Sequence, residues 1–181
     1  YGLSPLQNAS YFSVFANGGK SIQPFFIEKI LKTGEEVKFL ENQETNKNFI
    51  ESWVGKEFSK EETFTIDPRV SYIINDILLE ATRRGTGKKI QSLKRDDFAG
   101  KTGTTNDAES TWFTGFNKNI LTTVWFGYDQ PSTLGNKEYG SSTALPIWLD
   151  YMEDIIDDVE YGIQTRPSGL IAKKISLSDG M

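Results

Sequence analysis

The stretch DFAGKTGTTNDAESTWFTGF, residues 97–116, decides how this chain is interpreted. It carries Lys101-Thr102-Gly103-Thr104 at the start of a segment that otherwise has the composition of a β-sheet. Lysine and glycine are poor strand formers, so their place in a strand needs a reason. A site that requires a cation, hydroxyl groups and bare backbone in a row would use this sequence. An ordinary turn would use it too, because residues 102–107 are rich in turn formers.

The neighbouring residues favour the strand. We predict strands at about 97–104, 110–116 and 120–127, with Asn117-Lys118-Asn119 as the turn between the last two. Connections this short make neighbouring strands antiparallel. An edge strand in such a sheet can pair with an extended peptide, which lies alongside it as an additional strand.

In that strand, residues 101–104 suit the carboxylate end of a peptide. Side chains alternate along a strand, so Thr102 and Thr104 share a face, and Gly103 removes a side chain that would block close approach. The ammonium of Lys101 offers a compact positive charge. The backbone amide of Thr104 is placed to donate to an oxyanion that develops during acyl transfer.

Composition narrows the chemistry that the chain can perform. Its 181 residues are 37% hydrophobic and carry a net charge of −5, which indicates a globular domain and disfavours nucleic acid as a partner. Cysteine and histidine are both absent, so thiolate chemistry and a histidine base are excluded. No apolar run approaches the ~20 residues of a membrane span, and residues 1–10 do not form a signal peptide.

Capping signals place three helices. Ser4-Pro5 begins the first and Asn17-Gly18-Gly19 ends it, Asp67-Pro68 begins the second, and Pro146 opens the third. The residues expected to form the buried face of the second helix are Val70, Ile73, Ile74, Ile77, Leu78 and Ala81. Those expected to share a face of the third are Ile147, Trp148, Tyr151 and Ile155.

The remaining segments are predicted with less detail. A hairpin turns at Thr33-Gly34, residues 41–66 form a loop or insertion, and the basic connection 83–97 is expected to be a solvated loop. The aromatic side chains expected in the core rather than in a site are Trp112, Phe113, Trp125, Trp148 and Tyr151.

Several segments together resemble the end of the transpeptidase domain of bifunctional (class A) penicillin-binding proteins. They are AGKTGTTND (99–107), WFTGF (112–116), TTVWFGYDQPSTLG (122–135) and ALPIWLDYM (144–152). The upstream segments 3–30 and 85–106 are similar as well, and the tail 166–180 resembles the Gram-negative members. The likeness covers most of the chain and weakens at 41–66.

The resemblance implies a fold and an activity. We expect an α+β domain with an antiparallel sheet packed by helices, an incomplete form of the penicillin-recognising serine acyltransferase fold. Residues 1–160 would be the C-terminal portion of the transpeptidase domain, and 161–181 an extended tail. Lys101 and Thr104 would be catalytic, with Lys101, Thr102, Gly103 and Thr104 binding substrate. Neither a metal nor a cofactor is implied.

The nucleophile is expected outside these residues. The family signature combines S-x-x-K, S-D-N and K-T-G, and no serine of this chain has a lysine three residues later or an asparagine two residues later. In the family both of these motifs lie upstream. We therefore expect the chain to depend on an N-terminal part of its own domain, and to be inactive alone.

The family also implies partners and a location. Peptidoglycan stem peptides and β-lactams would be bound at the periplasmic face of the inner membrane, to which a segment absent here would anchor the protein. Two alternatives remain open. One is a D,D-carboxypeptidase or β-lactamase relative, which uses water as the acceptor. The other is a non-catalytic penicillin-binding receptor or docking module.

Overall fold

A computed structural model describes residues 2–22, 24, 31–33, 35–36 and 65–176. In chain order the regular elements are α1 (Pro5–Ala16), β1 (Leu31–Lys32), β2 (Glu35–Glu36), α2 (Pro68–Arg83), β3 (Ala99–Thr104), β4 (Ser110–Phe116), β5 (Leu121–Gly127) and α3 (Ala144–Ile155). Two 3₁₀ helices, Lys88–Leu93 and Ile156–Asp158, complete the set. Within these ranges, none of the helices has the length and apolar character needed to cross a membrane.

The sheet agrees with the strands predicted from the sequence. Its order is β3-β4-β5 and both pairings are antiparallel. The turn between β4 and β5 is held by Asn117, whose Oδ1 accepts hydrogen bonds from the amides of Asn119 (2.8 Å) and Ile120 (3.0 Å). This side chain replaces backbone partners that a tight turn leaves unpaired.

Helices cover both faces of this sheet. On one face α3 buries Trp148 against Phe113. On the opposite face α1 and α2 pack around Phe116, with Leu78 and Ala99 in the same cluster. The α+β arrangement expected from the sequence is confirmed.

The caps read from the sequence are also confirmed. Ser4 and Gln7 form a reciprocal capping box at the start of α1. The side chain of Asp67 caps α2 by accepting from the amide of Arg69 at 2.8 Å. Hydrogen bonds from the Arg69 side chain and amide lower the pKa of Asp67 to about 2. At the end of α1, Gly18 and Gly19 take positive φ values of 63° and 101°.

The face of α2 that meets the sheet matches the predicted one only in part, with Leu78 buried and Ile74 packed against the core as expected. Val70, Ile73 and Ile77 are exposed, whereas the buried residues are Ser71, Asn75, Leu78, Leu79 and Thr82. The two hydroxyls of the buried face bond to backbone carbonyls, Ser71 Oγ to the Val14 oxygen at 3.3 Å and Thr82 Oγ1 to the Phe98 oxygen at 2.7 Å. A hydroxyl with such a partner can be buried at little cost, so the apolar stripe alone did not identify the face.

Two further expectations were partly wrong. On α3, Ile147 and Tyr151 are exposed, and the buried residues are Ala144, Leu145, Trp148, Leu149 and Met152. The connection 83–97 is not simply solvated, because Ile90 is fully buried within its 3₁₀ helix and Asp97 is buried as well.

The remaining segments are described in part. β1 and β2 pair around Thr33, as expected for the hairpin. Of the predicted loop 41–66, only 65 and 66 lie within the described residues. Residues 161–176 contain no helix or strand, and 177–181 lie outside the description.

Candidate functional site

The tetrad Lys101-Thr102-Gly103-Thr104 lies on β3, which is an outer strand of the described sheet. Among the described residues β3 is paired on one side only, with Lys101 opposite Thr114 on β4. The strand interpretation of this stretch is therefore correct, and the turn follows it at 105–109. The other edge of β3 faces away from the sheet, which is the geometry that strand addition requires.

A groove of about 460 Å³ runs along this part of the sheet. Lys101, Thr102 and Gly103 form one wall, and Asn8 and Phe12 of α1 close it from above. Thr104 is not among the residues that line the groove. The structure thus brings three of the four predicted site residues to one cavity.

A row of polar side chains crosses the sheet behind Lys101. Thr114 stands opposite Lys101, and Thr123 of β5 stands opposite Thr114. The two threonine hydroxyls are 3.1 Å apart, and Asn8 Nδ2 donates to Thr114 Oγ1 at 2.8 Å. Lys101 itself is exposed and its Nζ donates to the carbonyl of Thr102 at 2.8 Å. This ammonium has further donors with which to bind an anion.

Two tryptophans form a wall that the sequence interpretation missed. Trp112 and Trp125 both line the groove, with ring centroids 6.4 Å apart, and Trp125 is 37% exposed. The expectation that these side chains belong to the core is wrong for both, whereas Phe113 and Trp148 are fully buried as expected. Gly103 contributes to this arrangement, because a Cβ there would lie 3.1 Å from the Cβ of Trp112.

The two threonine hydroxyls of the tetrad each have a partner outside it. Thr102 Oγ1 lies 2.8 Å from Thr86 Oγ1, in the connection after α2. Thr104 Oγ1 accepts from the Gly140 amide at 3.1 Å. Gly140 is packed against the strands so closely that a Cβ would lie 2.7 Å from the Gly103 oxygen and 2.6 Å from the Trp112 oxygen. Glycine is thus required for this approach.

A buried carboxylate fixes the chain just before β3. Asp97 accepts from Nε and Nη2 of Arg95, both at 2.8 Å, from Asn117 Nδ2 at 2.9 Å and from the Gly162 amide at 2.9 Å. Burial raises the pKa of Asp97, but the hydrogen bonds from Arg95, the Gly162 amide and Asn117 outweigh burial and hold that pKa below its ordinary value. The same ion pair raises the pKa of Arg95.

Among the described residues there is no group of three or more Asp or Glu side chains positioned to bind a metal ion.

Residues 1–153 match the family model described as "Penicillin binding protein transpeptidase domain". This chain belongs to the penicillin-binding protein transpeptidase family. The match confirms the resemblance that rested on the segments around residues 99–152.

Two named penicillin-binding proteins that are similar in sequence support this membership. Penicillin-binding protein 1A of Pseudomonas aeruginosa is 34% identical over a 208-residue alignment that covers 96% of this chain and 25% of the relative. The protein of the same name from Neisseria cinerea is 37% identical over 169 residues, or 93% of this chain and 20% of that one.

A solved structure supports the fold. The crystal structure of penicillin-binding protein 1A from Haemophilus influenzae superposes with a TM-score of 0.81 at 28% identity, over 99% of this chain and 30% of that one. This transpeptidase-family chain thus spans less than a third of each of these penicillin-binding proteins.

Proposed function

We propose that this chain forms one wall of the active site of a peptidoglycan D,D-transpeptidase, and that the tetrad 101–104 binds the carboxylate of the acyl donor. The observation that carries the proposal is the groove in which Lys101, Thr102 and Gly103 lie along the edge of β3 that no described strand occupies. A cation, a hydroxyl and a strand edge without a side chain at Gly103 match an extended peptide that ends in a carboxylate.

The reaction is acyl transfer through a serine. A serine from the rest of the domain attacks the donor carbonyl, the carbon–nitrogen bond breaks, and the leaving amine takes the serine's proton. An amine of a second stem peptide then attacks the ester carbonyl, the carbon–oxygen bond to the serine breaks, the serine oxygen takes up the proton that the amine loses, and the new amide is the cross-link. A β-lactam enters by the same attack but stays attached, because its leaving amine is tethered in the ring. The Thr104 amide and Lys101 would stabilise the negative charge of these steps.

The absence of histidine is compatible with this chemistry, because the family signature uses a lysine near the serine as a candidate base. Neither the S-x-x-K serine nor the S-D-N serine occurs in this chain. The contribution of the present residues is therefore recognition and charge stabilisation. We place the reaction on the periplasmic side of the inner membrane, where the substrate of such an enzyme is found.

Replacing Lys101 by methionine should slow acylation of the full natural protein by a fluorescent penicillin about 10- to 100-fold, which corresponds to losing one charge-assisted hydrogen bond. Methionine preserves the length of the side chain and removes its charge. The measurement is the second-order rate constant of labelling. Labelling of intact cells with a conjugate that does not cross the inner membrane tests the proposed location.

Lys118→Met is the matched control, because Lys118 is an exposed lysine in the turn at the opposite end of β4 from the groove. It should leave the labelling rate unchanged. A second variant, with Lys101 and Thr102 both changed to alanine, should lose more activity than Lys101→Met. Labelling of that double variant at the normal rate would refute the proposed function.

The rest of the transpeptidase domain is the proposed partner of two exposed apolar surfaces. On the outer strand β5, Trp125 and Phe126 are 37% and 42% exposed. On α2 the exposed residues are Val70, Ile73 and Ile77. Apolar surfaces on an edge strand and on a helix are normally covered, because uncovered ones promote association.

Residues 1–181 produced alone should therefore associate or melt without cooperativity, and should not react with penicillin. Size-exclusion chromatography, calorimetry and fluorescent-penicillin labelling check these three outcomes, with the full natural protein as the reference. Recovery of a stable monomer with a cooperative transition would show that these surfaces need no cover.

A further inference from the structure

A hydroxyl outside the tetrad lies within hydrogen-bond distance of the Thr102 hydroxyl. Thr86 Oγ1 lies 2.8 Å from Thr102 Oγ1, across 16 residues of sequence. Thr86 belongs to the short connection between α2 and the first 3₁₀ helix, and it does not line the groove. In the described structure the side chain of Thr86 makes one hydrogen bond, to Thr102, which does line the groove.

The position of Thr86 is fixed by the backbone on either side. The amides of Gly85 and Gly87 both donate to the carbonyl of Ala81 at 3.1 Å, at the end of α2. A Cβ at Gly85 would lie only 2.8 Å from that oxygen, so the turn needs glycine. Thr86 is therefore held by a tight turn rather than by a loose loop.

The same helix is bonded to the segment that enters β3. In the last turn of α2, Thr82 Oγ1 lies 2.7 Å from the carbonyl oxygen of Phe98, the residue that precedes β3. Residue 86 follows four positions after Thr82, and residue 102 follows four positions after Phe98. These short links fix the two hydroxyls relative to each other.

The proposed role of Thr102 as a donor to the carboxylate decides which of the two threonine hydroxyls donates to the other. A hydroxyl has one proton to donate. If Thr102 donates that proton to a carboxylate in the groove, then Thr86 must donate to Thr102. Thr104 provides a parallel, because its oxygen accepts from the Gly140 amide, which leaves its own proton available. In both cases a neighbour occupies the acceptor side of the hydroxyl and directs its proton outward.

We propose that Thr86 is a positioning residue for carboxylate recognition, which donates to Thr102 and so orients the Thr102 hydroxyl as a donor to the acyl donor's carboxylate. This inference rests on the proposed function. The relay of Thr86 to Thr102 to carboxylate also polarises the second bond, because consecutive hydrogen bonds strengthen one another. Thr86 acts through Thr102 and does not itself touch the ligand.

The test compares one penicillin with its methyl ester as acylating agents of the full natural protein. Thr86→Val keeps the shape of the side chain and removes the hydroxyl. It should lower the acylation rate by the free acid about fivefold, the equivalent of one ordinary hydrogen bond, and leave the rate by the ester unchanged within a factor of two. Thr86→Ser should restore discrimination between acid and ester. Thr165→Val, at an exposed threonine of the tail, is the matched control.

A double-variant cycle gives a second measurement on the acid alone. If Thr86 acts only through Thr102, adding Thr86→Val to Thr102→Val should cause no further loss. Equal losses with acid and ester, additive losses in the cycle, or an unchanged rate for Thr86→Val would each overturn the inference.

The result for Thr102→Val separates this inference from the proposed function. A Thr102→Val variant that loses acid discrimination while Thr86→Val does not would reject Thr86 alone. If Thr102→Val and Lys101→Met both react normally, the carboxylate site itself is in the wrong place and the proposed function fails with it.

Discussion

Replacing Trp148 by alanine should destabilise the domain by about 3–5 kcal/mol, the usual cost of removing a large aromatic side chain from a core. Trp148 is fully buried and packs edge-on against Phe98 at 5.6 Å and Phe113 at 5.3 Å between ring centroids. The sheet provides the space for it at Gly115, where a Cβ would lie 2.5 Å from Cζ2 of the indole. Calorimetry of the full natural protein measures the loss.

Two variants of the same helix make this result specific. Tyr151→Ala removes an aromatic side chain that is 48% exposed, and it should change stability by no more than about 0.5 kcal/mol. Trp148→Phe should cost less than Trp148→Ala, because it keeps a ring and removes an indole Nε1 that is buried with no partner among the described residues. Equal losses for Trp148→Ala and Tyr151→Ala would show that α3 does not anchor the sheet.

Local signals predicted the strands, turns and caps. The hydroxyl of Ser4, the carboxylate of Asp67 and the amide of Asn117 act on backbone within a few residues, so a short window of sequence contains the whole interaction. The tetrad 101–104 was found for the same reason, because it is continuous on one strand.

The helix faces were predicted only in part, because the decisive partners are distant in sequence. Ser71 Oγ lies 3.3 Å from the carbonyl oxygen of Val14, 57 residues away, and this contact allows a polar residue to occupy the buried face of α2. The exposed residues Val70, Ile73 and Ile77 satisfy the helical apolar pattern equally well. Hydrophobic periodicity describes one helix, whereas burial depends on what packs against it.

The sequence predicted only part of the site, for a related reason. Residue types identified Lys101 and the two threonines, but their supports come from separate segments, Thr86 before β3 and Gly140 after β5. Trp112 and Trp125 looked like core residues because tryptophan usually is one. Only the register of β4 and β5, which pairs Trp112 with Trp125, brings them together beside the groove.

Replacing Asp97 by asparagine should destabilise the domain by about 3–5 kcal/mol at neutral pH, the range for breaking one side of a buried ion pair. The carboxylate is fully enclosed, and the side chain of Arg95 is only 17% exposed. An asparagine amide would direct its own N–H groups at donors from Arg95, Asn117 or Gly162. Arg95 Nη2 and Asn117 Nδ2 would keep only the carbonyl oxygen of Glu160, which they already share at 3.3 Å and 3.0 Å. The measurement is the unfolding free energy as a function of pH.

The pH dependence identifies the ionised carboxylate as the cause. The folded-state pKa of Asp97 lies below the ordinary value of about 3.9, so its stabilising contribution is complete above about pH 4. That contribution is lost as the pH falls from there through the folded-state pKa, because the unfolded chain takes up the proton first. The gap between the natural protein and Asp97→Asn should therefore be constant near neutrality and narrow in acid.

Asp96→Asn separates this buried group from its exposed neighbour. Asp96 also makes a side-chain hydrogen bond, from the Tyr161 hydroxyl at 2.8 Å, but in solvent, where such a bond contributes little. Its replacement should cost no more than about 0.5 kcal/mol at neutral pH. If Asp97→Asn behaved in the same way, the ion pair would not hold the tail against the start of β3, and the position of Lys101 would have to depend on its pairing with β4 alone.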